Sequence, residues 1–432
     1  MRSNPILDKF KKIQIVYPEC GNSVSEGYDF INESHPEPRV KAFAHNLYED
    51  KVYDGILVSK AFVASKPLFD KIKEMGGIRA HRRITDPDMF TMGDCGAYSF
   101  VDEYEPQFTC EEVYDYYDQL GFDYGIALDH IVTGFSISNI RGTEDQIRRQ
   151  NLTISNNLKM LDMVKERKAK FYLMGSAQGW NPESYRISIE RLAQGGFKYI
   201  AIGGVAGLDN KKIMALLDHC KSTIKKYNVA IHILGVTRTS LIPTYQQANV
   251  VTCDSTTNLI QAVTNPAAAF KTGIGNQSLR CLLIPSVKST SGRGKELVLK
   301  MCKGDDSEEN VTRVREEMWK LEMSAMNALR SYGDRKMGLH ECAKIVEDYV
   351  GLFDGHSHEN YMSYVKTTLH KRPWEEDGCN MCDEIGVEIT LLRGADRNFR
   401  RAYHNIHGYY KQFQEALKKK PALRKFLKKK KK

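Results

Sequence analysis

What this 432-residue chain lacks narrows its class before any motif is read. No apolar run approaches the roughly 18 residues that a membrane-crossing helix needs, and the segment from Met1 to Lys12 is charged, without the apolar centre of a secretory signal. A soluble, cytoplasmic protein with no membrane partner is the expectation. A disulfide framework is also missing. The ten cysteines stand singly in helix- and strand-like segments, apart from one CxxC pair, Cys379 and Cys382. That is the pattern of buried thiols in a reducing compartment. Acidic residues are absent from 418–432, KKKPALRKFLKKKKK, where ten side chains are basic. The formal charge of +9 therefore belongs to the tail, and the first 417 residues come to about −1. The tail, with Lys428, Lys429 and Lys430, is either a solvated end or an electrostatic arm for phosphates, since lysines add affinity without sequence information.

What is present is enough apolar sequence for a large core: 41% of residues are hydrophobic and 27% charged. The length suits one α/β barrel with additions, or two to three smaller domains. Short β-branched runs at 12–17 and 55–63 read as strands, 67–74 as a helix with proline in its first turn, and 76–83 as a basic loop. A regular alternation follows. Helices are expected at 110–120, 144–168, 182–195, 210–227 and 240–248, the second with apolar residues at helical spacing. Strands are expected at 122–128, 170–174, 199–202, 230–234 and 249–253, each stopping at a glycine-rich or polar loop. Strand, loop and helix in repetition indicate parallel strands with helical crossovers.

The unusual residues decide between a barrel and an open sheet. Asp94, Asp129, Gln178, Gly204 and Asp254 all fall at carboxyl ends of strands, which converge on one site only in a closed barrel. The predicted fold is therefore α/β, a (β/α)8 barrel over residues 1–300, followed by a helical subdomain over 301–417, the part in which the resemblance given below implies a zinc site, and the lysine-rich tail at 418–432. Past Asp254 a helix is expected at 259–271, a strand at 279–284, helices at 308–332 and 339–353, and a last helix from about 402 to 420. The small, basic segment 289–295 is either a surface loop or a phosphate contact.

Two carboxylates at strand ends, Asp94 and Asp254, suit an acid/base and nucleophile pair that cleaves and remakes a glycosidic bond. Asp129 and Gln178 suit the hydrogen-bonding edge of a ligand, and Tyr98 offers an aromatic face to a planar one. Any one such aspartate is as readily the cap of the following helix.

The motifs GDCGAY, LDHIV, GSAQG, AIGGVAG, HILGV and CDS, in that order, resemble those of the guanine transglycosylases, which exchange guanine for a 7-deazaguanine base. The resemblance covers about residues 76–260 and 377–410. It implies Asp94 as general acid/base, Asp254 as nucleophile, Tyr98 as the ring stacked on the base, and Asp129 with Gln178 as readers of the guanine edge. It further implies that the backbone of Gly204 and Val205 faces the 7-substituent and that Leu234 closes the opposite side, where the family has a methionine. Cys95 and Ala97 replace the family's serine and second glycine. The family's zinc motif appears as Cys379, Cys382 and His404, with Asp377 in the place of the first cysteine and Cys342 as an alternative fourth ligand; the zinc would be structural. The segment after Asp254, STTN, and the length point to the DNA-modifying branch, acting in a bacterial cell or a virus-infected one and inserting 7-cyano-7-deazaguanine. Helper proteins that open the DNA and a homodimer fit that expectation. A tRNA-modifying enzyme and a non-catalytic nucleic-acid-binding subunit remain the alternatives.

Overall fold

Eight short strands, all parallel, run in chain order: β1 (Gln14–Glu19), β2 (Gly55–Ser59), β3 (Phe90–Asp94), β4 (Tyr124–Ile126), β5 (Tyr172–Ala177), β6 (Tyr199–Ile202), β7 (Ala230–Ile233) and β8 (Val250–Asp254). Each pairs with its sequence neighbours, and β1 pairs with both β2 and β8, so the sheet closes into a barrel. In this computed structural model the described residues are 3–19, 21–265, 268–272, 277–279, 287, 293–352, 358–376, 378–392 and 394–419. Among them, no helix is long and apolar enough to cross a membrane.

Capping sets where the crossover helices begin. Helix α1 is Lys66–Glu74, with Pro67 in its first turn. Thr109 and Glu112 form a capping box at α2 (Cys110–Leu120), and Thr143 and Gln146 form one at α3 (Glu144–Arg167). Asn181 caps α4 (Pro182–Gly195), which ends at a left-handed Gly196, and Asp209 caps α5 (Asn210–Lys226). The short α6 (Ile242–Gln247) leads to β8.

The barrel interior holds Val16, Leu57, Phe90, Met92, Tyr124, Ile126, Met174, Tyr199, Ala201, Ala230 and Val251, with Ile6 and Phe10 packed on the same cluster. One irregularity marks β8. Val250 lies opposite Ile231, yet Thr252 lies opposite the next residue of β7, His232, so β8 carries one extra residue. Such a bulge re-aims side chains. Here it lets Val251 join the apolar interior while Thr252 and Asp254 still meet the polar side chain of His232.

The chain divides into two compact units, 1–21 with 53–256 and 410–432, and 22–52 with 257–409. The described residues from 257 to 300, expected with the barrel, fall in the second unit, which also contains α7 (Glu308–Gly333), α8 (Leu339–Val350) and the larger part of α9 (Ala395–Lys418). The helix expected at 259–271 stops at Thr264, just before Asn265-Pro266, and Phe270–Thr272 pairs antiparallel with Gln277–Leu279. The last helix begins at Ala395 rather than near 402, and the loop at 76–83 contains one helical turn, Ile78–His81. The strand expected at 279–284 lies outside the described residues beyond Leu279, as does 289–292. The inward face of α3 is more polar than its spacing suggests: Gln146, Arg149, Gln150, Thr153 and Asn157 are buried beside Ile154, Met160 and Met163.

Candidate active site

Around Asp129 the carboxyl ends of β3, β4 and β5 meet. Its Oδ2 accepts hydrogen bonds from Ser176 Oγ (2.7 Å) and Gln178 Nε2 (2.6 Å), and its Oδ1 accepts from the Cys95 thiol (3.1 Å). Burial first, and then the Asp129 and Asp94 charges, push the Cys95 thiol well above its usual value, so it stays a donor. A carboxylate has about four acceptor positions, and three protein donors leave one for a ligand. Gln178 is engaged at both ends, its Oε1 accepting from the Val132 N–H at 3.3 Å. Gly203 and Gly204 close in beside it. A Cβ at Gly203 would stand 2.2 Å from Gln178 Nε2, and one at Gly204 2.9 Å from Gln178 Oε1. No side chain fits there, and Val205 beside them is 2% exposed.

Asp94 ends β3 and keeps part of its surface open to solvent. Burial in the protein, then the neighbouring Asp129 carboxylate, raise its carboxyl to about 7; Asp254 adds less, and the Gly96 N–H and Ser59 hydroxyl pull the other way. The Gly96 N–H donates to Asp94 Oδ2 at 3.0 Å. A carboxyl group that titrates near neutral pH is matched to general acid/base work.

Asp254 ends β8 and is buried. Its Oδ1 accepts from the Gly235 N–H (3.0 Å) and meets His232 Nε2 at 3.0 Å. His232 Nδ1 lies 2.7 Å from Thr252 Oγ1, which is hydrogen bonded to the Tyr199 hydroxyl. A carboxylate only accepts, so His232 donates from Nε2 and its Nδ1 accepts from Thr252. Burial pushes the Tyr199 phenol well above its usual value, which keeps it a donor to Thr252. The chain of hydrogen bonds is directed at Oδ1 and leaves Oδ2 for other chemistry.

Of the residues singled out in the sequence, Asp94, Asp129, Gln178, Gly204 and Asp254 come to one end of the barrel, where Asp94 senses both other carboxylates. Leu234, just after β7, is partly buried against the interior cluster. Tyr98 lies on the turn after β3 and is 84% exposed. Sequence reasoning missed Ser176, His232 and Thr252. Their signal is parity: each sits two residues before a chosen one, Gln178, Leu234 or Asp254, and positions i and i+2 of a strand share a face.

The whole chain resembles one curated protein closely enough to decide its family: a DNA-guanine transglycosylase of Salmonella montevideo is 30% identical over 423 residues, covering 94% of this chain and 98% of that protein. The chain belongs to the guanine transglycosylase family. No protein-family model matches it. By name, the family's members are glycosyltransferases that act on guanine.

A second cluster lies in the other unit. The ligand atoms of Cys379, Cys382 and His404, all buried, lie within 4.8 Å of one another. Two sulfurs and one imidazole nitrogen suit zinc, which takes a tetrahedral set of four. His404 is oriented for it: its Nε2 lies 2.8 Å from the Lys271 carbonyl and so carries the proton, while its Nδ1 faces Cys382 Sγ at 3.3 Å. The Tyr48 hydroxyl is 3.1 Å from Cys379 Sγ. The Cys379 thiol is held well below its usual value, chiefly by Cys382 and then by His404 and His407, against the effect of burial. Asp377 and Lys428 to Lys430 lie outside the described residues, and Cys342 is not part of the cluster.

Proposed function

We propose that this protein exchanges guanine in DNA for a 7-deazaguanine base, 7-cyano-7-deazaguanine being the expected one, through a covalent intermediate on Asp254. The observation that carries the reading is three carboxylates at one end of the barrel with separate partners: Asp129 held by three donors, Asp254 held at one oxygen, and the partly exposed Asp94 raised to about 7. DNA is chosen because the relative from Salmonella montevideo is named for it.

In this reading the free Oδ2 of Asp254 attacks C1′ of the target nucleoside. The C1′–N9 bond breaks, its electrons pass to guanine, and Asp94 in its acid form supplies the proton the departing base needs. Asp94, now a carboxylate, takes a proton from the incoming base, whose nitrogen attacks C1′ and releases Asp254. Asp129 and Gln178 hold the edge of either base, Gly204 and Val205 face the 7-substituent, and Tyr98 and Leu234 flank the ring. Cys379, Cys382 and His404 would hold a zinc ion whose part is structural. The lysine tail at Lys428 to Lys430 adds phosphate affinity.

The test incubates the purified protein with guanine-labelled duplex DNA, and separately with labelled tRNA, each with 7-cyano-7-deazaguanine. Release from DNA and a denaturation-resistant protein–DNA adduct are expected, and both vanish in Asp254→Ala. Release from tRNA alone overturns the choice of nucleic acid. Release from neither, with zinc and helper proteins supplied, makes the chain a non-catalytic subunit, and an adduct that survives Asp254→Ala overturns the nucleophile.

A further inference from the structure

The loop from His130 to Gly142, which follows β4 and Asp129, is tied down along its whole length. The Val132 N–H bonds Gln178 in the site, and the Ser136 N–H bonds the Trp180 carbonyl at 2.8 Å. Asn181 Nδ2 donates to the Asn139 carbonyl at 2.5 Å, and Gln146 Nε2 to that of Thr133 at 2.8 Å. Gly142, at φ +73°, accepts no side chain, since a Cβ would stand 2.6 Å from the Trp180 ring. So much anchoring normally accompanies burial of the apolar side chains. That holds for Val132, which is buried, and for Phe135, which packs on the Tyr185 ring, but Ile140 is 84% and Ile137 55% exposed, beside an exposed Arg141, and the segment contains no acidic residue.

Isolated exposed isoleucines need no explanation. These two stand on a rigid ledge whose other end is the base-edge cluster, and that cluster is closed to a base still in its stack: Asp129 is 3% exposed and Ser176 and Gln178 are fully buried. A guanine reaches them only when rotated out of the duplex. Proteins that unstack duplex DNA insert an apolar wedge, often isoleucine, between base steps, and fix the backbone with nearby cations.

We propose that Ile137 and Ile140 form such a wedge, entering duplex DNA at the step vacated by the extruded guanine, with Arg141 on the adjoining phosphate. This rests on the DNA reading above. The partner is paired DNA, because a single strand needs no opening.

The experiment compares Ile137→Ala/Ile140→Ala with the unsubstituted protein on two DNAs of one sequence, a full duplex and one whose target guanine lies in a mismatched bubble. Exchange on the duplex is expected to fall about tenfold or more, with exchange on the bubble unchanged. In parallel, both proteins carry Asp254→Asn and bind a duplex with 2-aminopurine beside the target. Fluorescence rises on binding, and the double alanine variant abolishes the rise. Equal losses on duplex and bubble, or an undiminished fluorescence rise, overturn the wedge while leaving DNA exchange standing. Unsubstituted protein inactive on both DNAs but active on tRNA overturns the DNA reading itself.

Discussion

At the scale of single residues, the site separates three aspartates by their surroundings. Asp129 has three donors, Asp254 is bound by a backbone N–H and an imidazole, and Asp94 has mainly burial and a neighbouring negative charge. The carboxyl of Asp94 is raised to about 7. Its native value lies above the ordinary one of 3.8, so the folded protein binds the extra proton between about 4 and 7, and stability falls as pH rises through that window. Asp94→Asn removes this penalty. Its thermal midpoint is expected to exceed that of the unsubstituted protein at pH 8, with the gap closing towards pH 4, as measured by calorimetry across pH. The same variant loses exchange by roughly 10²–10⁴-fold, and the limb of the pH–rate profile near 7 disappears with it. A variant that keeps that limb assigns the titration to another group.

At the scale of elements, helix α3 is the frame beneath the site. Asn157 accepts from the Ser176 N–H at 2.6 Å and donates to the carbonyls of Leu128 (3.2 Å) and Thr153 (2.7 Å). Gln150 donates to the carbonyl of Gln178 at 2.8 Å, and Arg149 to that of Ile131 at 3.2 Å while lying 2.9 Å from His130 Nε2. These bonds hold backbone that cannot join the short strands and would otherwise be buried unpaired. Asn157→Leu is expected to cost about 2–4 kcal/mol in urea unfolding, because it strands several buried groups at once. Exchange falls further than stability, since Ser176 then loses its aim at Asp129. The helix was legible from its length and its apolar residues at helical spacing, but its working face was not. Polar residues at helical spacing read as a solvated surface until the loop carbonyls they serve are placed beside them. The strands and their terminal carboxylates were legible for the opposite reason, that a parallel strand announces both its apolar run and its polar stop.

At the scale of the whole molecule, each unit is assembled from separated pieces of chain. In the barrel unit, buried Asp54 accepts from the Ile15 N–H at 2.8 Å and from the Tyr410 hydroxyl at 2.9 Å, joining three distant segments. In the other unit, Tyr48 lies beside Cys379, and Lys271 beside His404. A linear division at residue 300 could not show this, since sequence neighbours carry no record of where the chain returns. Zinc coordinated by Cys379, Cys382 and His404 would tie the start of the short helix Asn380–Ile385 to α9, so metal and folding are linked. Cys382→Ser is expected to lose one equivalent of zinc by elemental analysis and to lower the unfolding midpoint by several degrees; retention of both would remove zinc from the account.

The supernumerary residue of β8 has a consequence for how such a site can be changed. Facing inward or outward along a strand is a matter of odd and even, and one insertion inverts it for everything downstream. Below that point the strand contributes Val251 to an apolar floor, and above it Asp254 to a reactive rim. Removing Val251 alone would subtract one ordinary aliphatic side chain from 432 residues and disturb no residue that touches a substrate. It would leave Thr252 directly after Val250 and still opposite His232, so the nucleophile keeps its step and the apolar floor loses the side chain that the extra residue supplies. The count along this strand serves the floor of the barrel, and the rim is fixed by its pairing with β7.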